Sequence, residues 1–288
     1  MDAKLVCVGL TTLDVSQVVE AVPGPDQKVV AERLSVTFGG PAANAAATAV
    51  ALGVPARLVT ALGSGPVADL IRAELHGAEV EVVDLAAGTD ARPPVSTVLI
   101  TRATGQRAVA SVNATGMPQL SPPDLGVLEG ASAVLVDGHH RDAAVSLAEG
   151  ARGRDIPVVL DGGSWKPGLE ALLAQVDHAV LSADFALPHD AVGGDALAWM
   201  LDRWPLRSVA RSAGAGPVEL RERGRSVAWL PVQEAATVVD TLGAGDVLHG
   251  ALAAELARGR GIAEALRVGT EIATRSVGFA GARGWIDG

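Results

Sequence analysis

The fold of this chain is indicated most clearly by the stretch Val239-Asp240-Thr241-Leu242-Gly243-Ala244-Gly245-Asp246-Val247-Leu248-His249-Gly250. Gly243 and Gly245 allow the backbone to turn sharply into a helix that we predict over Ala244–Ala257. The free N–H groups of that helix's first turn converge on one point, and the helix dipole makes the point attractive to anions. Asp246 therefore holds a carboxylate beside a site suited to negative charge.

Phosphoryl transfer explains why an anion site and a carboxylate stand together. The N–H groups can hold the transferred phosphoryl group as charge spreads over its oxygens, and Asp246 can accept the proton of an attacking hydroxyl as the catalytic base. The alternative is that Asp246 only caps the helix, a position that the dipole favours by itself. The chain contains no Gly-x-x-x-x-Gly-Lys-Ser/Thr sequence, so the predicted phosphate site is not a P-loop.

A second glycine-bounded segment, Phe38-Gly39-Gly40-Pro41-Ala42-Ala43-Asn44, opens another predicted helix. Paired glycines permit positive φ angles and the close approach of a ligand, and proline suits the first helical position. Asn44 falls about one turn into the helix, where its carboxamide can face a polyhydroxylated ligand. The alternative is a plain Ala-rich packing helix that follows a glycine turn.

Around these segments, short apolar runs alternate with Ala-rich segments of helical length. This alternation indicates an α/β fold whose mainly parallel sheet is covered by helices on both faces. The predicted strands are Lys4–Gly9, Ala56–Ala61, Ala133–Val136, Pro157–Leu160, His178–Leu181 and Ser208–Arg211, with an edge hairpin of Val218–Glu222 and Val227–Leu230. The predicted helices are Pro41–Leu52, Val67–Leu75, Asp142–Arg152, Gly168–Leu173, Ala244–Ala257 and Ile262–Val277.

Two regions, at about 12–37 and 91–113, break this alternation with β-hairpin patterns. Their strand-like runs are Val15–Ala21, Val29–Val36, Val95–Thr101 and Arg107–Ser111. We interpret them as a small β-sheet that stands off the main domain, where it can cover a site or pair with another subunit. Because no long linker or internal repeat is present, residues 1–288 are predicted to form one domain.

Composition limits the partners of the chain. Its 288 residues carry a net charge of -10 without a Lys/Arg cluster, which argues against binding to nucleic acid or to an anionic membrane. The single cysteine excludes an intramolecular disulfide and a Cys-rich metal site. We find neither a signal-peptide pattern nor an apolar run of membrane-spanning length, so we expect a cytoplasmic protein.

The two glycine-bounded segments resemble the signatures of the ribokinase-like, or PfkB, family of carbohydrate kinases. Asp240–Asp246 is similar to the family's Asp-Thr-x-Gly-Ala-Gly-Asp, and the resemblance covers essentially the whole chain. It implies a ribokinase-like three-layer α/β/α domain with a mainly parallel sheet and a small β-sheet lid. It also implies ATP-dependent phosphorylation of a primary hydroxyl of a small sugar. The pattern is most similar to the ketohexokinase subgroup of fructose 1-kinases, which favours a ketose such as fructose.

The resemblance further implies roles for individual residues. Gly243, Ala244 and Gly245 would form the anion hole beside Asp246. The residues expected to bind the sugar are Asp14, Asp26, Gly39, Gly40, Asn44 and Arg107. The residues expected to bind the nucleotide are Ser182, Ser212, Ala213, Gly214, Ala215, Gly216, Thr241 and Gly278.

The resemblance implies Mg²⁺ as a cofactor that arrives with ATP, held mostly by phosphates and water. Ser182-Ala183-Asp184 replaces the family's Asn-x-x-Glu motif, so the metal-binding residues are unknown; K⁺ is a further candidate cofactor. Pro41 stands where ketohexokinases have a sugar-binding Asn. We also expect a homodimer that forms through the lid sheets.

Two other functions remain open from the sequence. A nucleoside kinase of the same fold would require aromatic or bulky apolar residues in the lid, because a base must stack. If the chain is instead a non-catalytic or NAD-type nucleotide-binding protein, Gly63-Ser64-Gly65-Pro66-Val67-Ala68 would be its dinucleotide fingerprint, with Asp84 about 20 residues further on.

Overall fold

The main sheet in the computed structural model, which describes residues 3–113, 117, 120–187, 195–286 and 288, has nine strands. Their spatial order is β13 (Ala228–Leu230), β12 (Gly216–Glu222), β11 (Ser208–Ala213), β10 (His178–Leu181), β9 (Val158–Gly162), β8 (Ala133–Val136), β1 (Leu5–Val8), β4 (Ala56–Thr60) and β5 (Glu81–Asp84). The strands from β11 to β5 run parallel, and β12 and β13 are added antiparallel at one edge.

Helices cover both faces of this sheet because its central strands are apolar on both faces. In β1, Leu5 and Cys7 belong to one core cluster and Val6 and Val8 to the other. The first cluster includes buried residues of α1 (Pro41–Ala51), α2 (Pro66–Gly77), α6 (Ala244–Ala257) and α7 (Ile262–Ser276). The second includes buried residues of α3 (Arg141–Arg152), α4 (Leu169–Leu173) and α5 (Ala196–Arg203), and a 3₁₀ turn lies at Leu125–Leu128.

Helix α6 is buried from Val247 to Ala257, where all residues except His249 and Glu255 are apolar or glycine. It lies against α1, and small residues bring the two helices to backbone contact. A Cβ atom added at Gly250 would lie 2.5 Å from the carbonyl oxygen of Ala45. This close approach sets the start of α6 beside Asn44 of α1.

The second sheet has four strands in the order β3 (Arg33–Gly39), β2 (Thr12–Val19), β6 (Val95–Thr101) and β7 (Arg107–Ser111). We call it the lid. The register pairs Asp14 of β2 with Thr37 of β3 and with Ser96 of β6, so these three side chains share one face. That face lines a cleft between the lid and the main domain.

Most of the predicted elements are present, with ends shifted by one or two residues. The exceptions in position are in the lid, where β2 begins three residues before the predicted Val15 and β3 four residues after the predicted Val29. Strand β5 and helix α5 were not predicted. The three-layer α/β/α arrangement with a separate small sheet is confirmed.

Candidate active site

A cleft of about 680 Å³ separates the lid from the edge of the main sheet where the parallel strands end. Crevices at this edge are the usual ligand sites of open α/β sheets. The lining comes from the inner face of the lid, the starts of α1 and α6, and the segment after α7; it includes Thr12, Asp14, Ser16, Thr37, Phe38, Gly40, Asn44, Ser96, His139, Asp240, Gly243, Asp246 and Arg283.

Asp246 stands in the first turn of α6, facing this cleft. Gly243 precedes the helix with a φ of +75°, a left-handed conformation that glycine adopts without strain. The side-chain amide of Asn44 donates a hydrogen bond of 2.7 Å to Asp246 Oδ2. Desolvation and the nearby charge of Asp161 raise the pKa of Asp246 to about 7, against the opposing effect of the Asn44 hydrogen bond. A carboxyl with such a pKa can both accept and release a proton near neutral pH.

Two backbone donors remain free next to this carboxylate. Within the described residues, the N–H groups of Gly245 and Asp246 have no backbone acceptor, whereas Val247 N–H already donates to Gly243 O at 2.9 Å. The start of α6 therefore has donors of the kind that an anion site requires. Of the residues predicted to form the anion hole, Gly245 offers its N–H, whereas Ala244 N–H donates to Thr241 O at 3.3 Å, so the anion hole of Gly243, Ala244 and Gly245 stays a prediction.

A buried layer lies beneath Asp246 and supports it. His249 Nδ1 is 2.7 Å from Gly245 O, and His249 Nε2 is 3.1 Å from Val180 O. Asp161, at the end of β9, lies 3.4 Å from His249 Nδ1, and burial raises the pKa of this carboxyl. Because His249 is only 5% exposed and both ring nitrogens face carbonyl oxygens, it holds the first turn of α6 and does not reach substrate.

Asp14 brings a second carboxylate to the cleft from β2. Thr12 Oγ1 donates to Asp14 Oδ1 at 2.7 Å, which fixes the orientation of the carboxylate. Gly39 of β3 pairs with Thr12 of β2, and a Cβ atom at Gly39 would overlap the Asp14 carboxylate. Gly40 has a φ of +96° and adjoins the backbone of Leu10. The structure thus brings together the predicted sugar-binding residues Asp14, Gly39, Gly40 and Asn44.

Two other residues predicted to bind the sugar lie elsewhere. Asp26 is exposed in a turn with a φ of +60° and does not line the cleft. Arg107, on the lid hairpin, donates from Nη1 to Thr241 Oγ1 at 3.2 Å and is likewise not a lining residue. Arg107 therefore reaches the side on which we expected the nucleotide.

A second cavity of about 330 Å³, mostly apolar, lies on the other side of the Thr241–Ala244 turn. Its lining contains four of the predicted nucleotide-binding residues, Ser212, Gly214, Ala215 and Thr241, together with Val218, Val232, Val238, Leu248, Ala273 and Val277. The other four, Ala213, Gly216, Ser182 and Gly278, are not lining residues. Of these, Ser182 donates from Oγ to Gly163 O at 3.0 Å, and Gly278 follows Val277 directly.

Arg283 is a cleft residue that sequence reasoning missed. It lies in the segment after α7. Hydrogen bonds to Asp240 hold this segment against the turn that precedes α6. Asp240 Oδ1 accepts from Leu242 N–H and Oδ2 from Gly281 N–H, each at 2.9 Å. Burial of the guanidinium lowers the pKa of Arg283 to about 10, and the charges of Glu74 and Asp14 oppose that shift. The available signal was a lone basic residue between two glycines, Gly281-Ala282-Arg283-Gly284.

Neither a metal cluster nor a dinucleotide site is evident in the described part of the chain. No three His, Cys, Asp or Glu side chains there are arranged to hold a metal ion. At the predicted fingerprint, Leu62 N–H and Gly63 N–H both donate to Asp84, and Arg72 also binds Asp84, at 2.7 Å. Since a carboxylate from the same chain occupies these donors, the segment does not fit a pyrophosphate. None of the described helices has the length and apolarity needed to span a bilayer.

Comparison with known proteins places this geometry in context. A family model described as "pfkB family carbohydrate kinase" matches residues 2–286. The chain is 27% identical to a ribokinase from Arabidopsis thaliana, covering 96% of this chain and 77% of that protein. It is 25% identical to a ketohexokinase from Mus musculus, covering 97% and 98%. A crystal structure of an Agrobacterium tumefaciens protein superimposes with a TM-score of 0.86 at 25% identity, covering 99% of this chain and 94% of that one.

Proposed function

Since the chain belongs to the pfkB family of carbohydrate kinases, we propose that it transfers the γ-phosphoryl group of ATP to a primary hydroxyl of a small sugar, with Asp246 as the catalytic base. The observation that carries this proposal is the pairing of Asp246 with two free backbone donors at the start of α6. A helix cap alone does not explain why a carboxylate with a raised pKa faces an open cleft.

The arrangement supports an in-line transfer. Asp246 takes the proton of the sugar hydroxyl, and the resulting oxygen attacks the γ-phosphorus. The bond between the γ-phosphorus and the β–γ bridging oxygen breaks, and ADP leaves with that bridging oxygen. The N–H groups of Gly245 and Asp246 offer hydrogen bonds to the oxygens on which negative charge builds up.

A small polyhydroxylated acceptor fits the lining of the cleft. Thr12, Asp14 and Ser96 offer donors and acceptors on the inner face of the lid. Phe38 is a lining aromatic residue, but the Arg283 guanidinium covers its ring at 3.5 Å from the centroid. The guanidinium covers one face of this ring, which leaves it poorly placed to stack a base, although the bulky apolar lid residues Leu34, Ile100 and Val109 also line the cleft. We favour a sugar because of the polar groups of Thr12, Asp14 and Ser96. The ribokinase and ketohexokinase relatives direct us to pentoses and ketohexoses, and the subgroup pattern to a ketose such as fructose.

ATP is the proposed donor, with its base in the apolar second cavity and its phosphates directed to the turn that ends at Gly243. The solved structure of the Arabidopsis ribokinase is a complex with ribose and ATP. In our proposal Arg107, which already contacts Thr241, adds a positive charge near the phosphates when the lid is closed. We expect such an ATP-dependent enzyme in the cytoplasm, where ATP is supplied.

Mg²⁺ would enter with the nucleotide. It is commonly held by one or two carboxylates, water and substrate phosphates, so the lack of a three-residue cluster among the described residues is compatible with it. The metal would neutralise charge on the phosphates during transfer. Dependence on K⁺ is tested by assaying with and without that ion.

A homodimer through the lids is the proposed assembly. Val36, Val95, Leu99, Ala108 and Ala110 lie on the outer face of the lid, opposite the cleft, as the strand register requires. Four of these five residues are exposed, with Val36 at 39% and Val95 at 37%. An exposed apolar sheet face of this kind suits a second copy of the same surface.

The test is a coupled ADP-release assay with Mg·ATP and a panel of acceptors, namely fructose, ribose, tagatose, 2-keto-3-deoxygluconate and nucleosides. We expect turnover with at least one sugar and loss of turnover in Asp246→Asn, while ATP binding measured by calorimetry is retained. Preferential turnover of a nucleoside would transfer the assignment to a nucleoside kinase. Normal turnover by Asp246→Asn would refute Asp246 as the base.

A further inference from the structure

The segment Ala280–Gly284 carries Arg283 into the cleft along a path that the packing fixes closely. A Cβ atom at Gly243 would overlap Ala282, so this segment lies directly on the turn that precedes α6. Asp240 holds the same segment through Gly281 N–H. The position of Arg283 is therefore set by the turn that forms the proposed anion hole.

Arg283 is joined by hydrogen bonds to α1 and to lid strand β3, and through Thr37 to α2. Its Nη1 donates to Asn44 Oδ1 on α1 at 2.6 Å. Its Nη2 donates to Phe38 O at 2.8 Å and to Thr37 Oγ1, both at the base of the lid strand β3. Thr37 Oγ1 in turn donates to Glu74 Oε2 of α2 at 3.0 Å. One chain of contacts thus runs from α2 and the base of the lid to Asn44.

The contact with Arg283 decides which way the Asn44 carboxamide faces. An amide side chain has an acceptor oxygen on one side and an N–H₂ donor on the other. With Oδ1 bound by the guanidinium, Nδ2 faces Asp246 Oδ2 at 2.7 Å. The opposite orientation would set the amide oxygen against the carboxylate and the N–H₂ group against a cation, so both contacts would be lost.

We propose that Arg283 is a positioning residue that acts through Asn44: it orients the carboxamide so that an N–H is always directed at Asp246, and it links the base of the lid to the catalytic base. The inference rests on the proposed function in its view of Asp246 as the base. It also assigns Asn44 a role in the resting enzyme that differs from sugar binding, because both ends of its amide are already occupied.

Other charged groups also face Asp246, and each must stay fixed in a test. Asp161 of β9 lies below it, His249 follows it on α6, and Asp14 faces it from β2. The charges of Asp137 and Lys166 act on Asp161 and thus affect Asp246 only indirectly. Neither Arg283→Met nor Asn44→Leu removes any of these groups.

The experiment measures the titration of the Asp246 carboxyl carbon by ¹³C NMR, with its resonance identified by its loss in Asp246→Asn. An N–H donor stabilises the charged carboxylate, so loss of a correctly oriented Asn44 raises the pKa of Asp246. We expect Asn44→Leu and Arg283→Met each to move the midpoint upward by about one pH unit. The shift in the double variant should be smaller than the sum of the two single shifts, although the charge of Arg283 also acts on Asp246 directly. Arg283→Lys, which keeps the charge, should move the midpoint less than Arg283→Met does.

The matched control is Arg275→Met, the same substitution at an arginine that donates to Gly288 O at 2.8 Å and stacks on Trp285. It should leave the midpoint unchanged even if it loosens the C-terminal segment. An unshifted midpoint in Arg283→Met would overturn the proposal, as would shifts that add in the double variant, because additivity means that Arg283 acts by charge alone. The titration reads Asp246 whether or not a sugar is phosphorylated, so its outcome is separate from that of the acceptor screen.

Discussion

Replacing Asp246 by Asn is predicted to destroy activity and to stabilise the fold at the same time. The pKa of this carboxyl rises from 3.8 to about 7 on folding. The folded protein therefore binds more protons than the unfolded chain between these values, and stability falls as pH rises from about 4 to about 7. A difference of roughly three pH units corresponds to about 4 kcal/mol at pH 8. Because Asp246 keeps part of its surface toward the cleft, this figure is an upper limit.

The asparagine side chain in the Asp246→Asn variant would keep the shape of the aspartate and carry no charge, so the variant should escape this cost. The expected gain in unfolding free energy is up to ~4 kcal/mol at pH 8 and less than half of that at pH 5, where the wild-type carboxyl is largely protonated in the folded state. Urea unfolding at the two pH values measures it, and turnover should fall by about 10²–10⁴-fold. Equal stability of the two proteins at pH 8 would refute the desolvation argument, even if turnover is lost.

Three further predictions follow from the same geometry. Turnover with a saturating sugar should rise about tenfold between pH 6 and pH 8, since a base with a pKa of about 7 is roughly one-tenth ionised at pH 6; a flat profile would contradict this. Gly39→Ala should raise the KM for the sugar at least ~10-fold, with ATP binding unchanged, because the added methyl displaces the Asp14 carboxylate; an unaltered KM would remove Asp14 from the sugar site. Val36→Asp should convert a dimer to a monomer in analytical ultracentrifugation. The control is Val227→Asp, which changes an exposed valine just before β13 on the main sheet and should leave the dimer intact. A wild-type protein that is a monomer would end the lid-dimer proposal.

The sequence predicted the parts of the fold in which local pattern and tertiary context agree. Strand β8 is continuously apolar, helix α6 is Ala- and Leu-rich after a glycine-marked start, and both are followed by turn residues, so their bounds matched. Strand β5 consists of only two valines between Glu81 and Asp84 at the sheet edge, so it has no alternating pattern and few neighbours to specify a strand. Of the lid strands, β6 and β7 were predicted with their observed bounds, whereas β2 and β3 were misplaced because much of both faces of β2 is polar or half-exposed, and hydrophobic alternation then fixes the register weakly.

The site was predictable where a residue lies next to its motif, and unpredictable where distant segments meet. Asp246 and Asn44 were both found from glycine-bounded helix starts, yet the hydrogen bond between them spans 202 positions in the sequence. The contact of Arg283 with Asn44 spans 239 positions. Arg107 was expected at the sugar, but the bend of the lid hairpin carries it to Thr241. Such contacts depend on how the elements dock, which spacing along one chain does not encode.

The backbone contact between α1 and α6 at Ala45 and Gly250 lies apart from the lid, so the residues that select the acceptor and those that hold Asp246 can change independently. Because Gly250 lies directly against the backbone of Ala45 and the Cβ of Thr48, the two helices pack closely, and this packing supports the hydrogen bond between Asn44 and Asp246. The described hydrogen bonds of the lid to the segments around this pair include Arg107 to Thr241 at the hairpin and Arg283 to Phe38 O at the base. Substitutions on the lid can therefore change which sugar is admitted while the phosphoryl-transfer machinery stays intact, whereas a side chain larger than glycine at position 250 would disturb every acceptor equally.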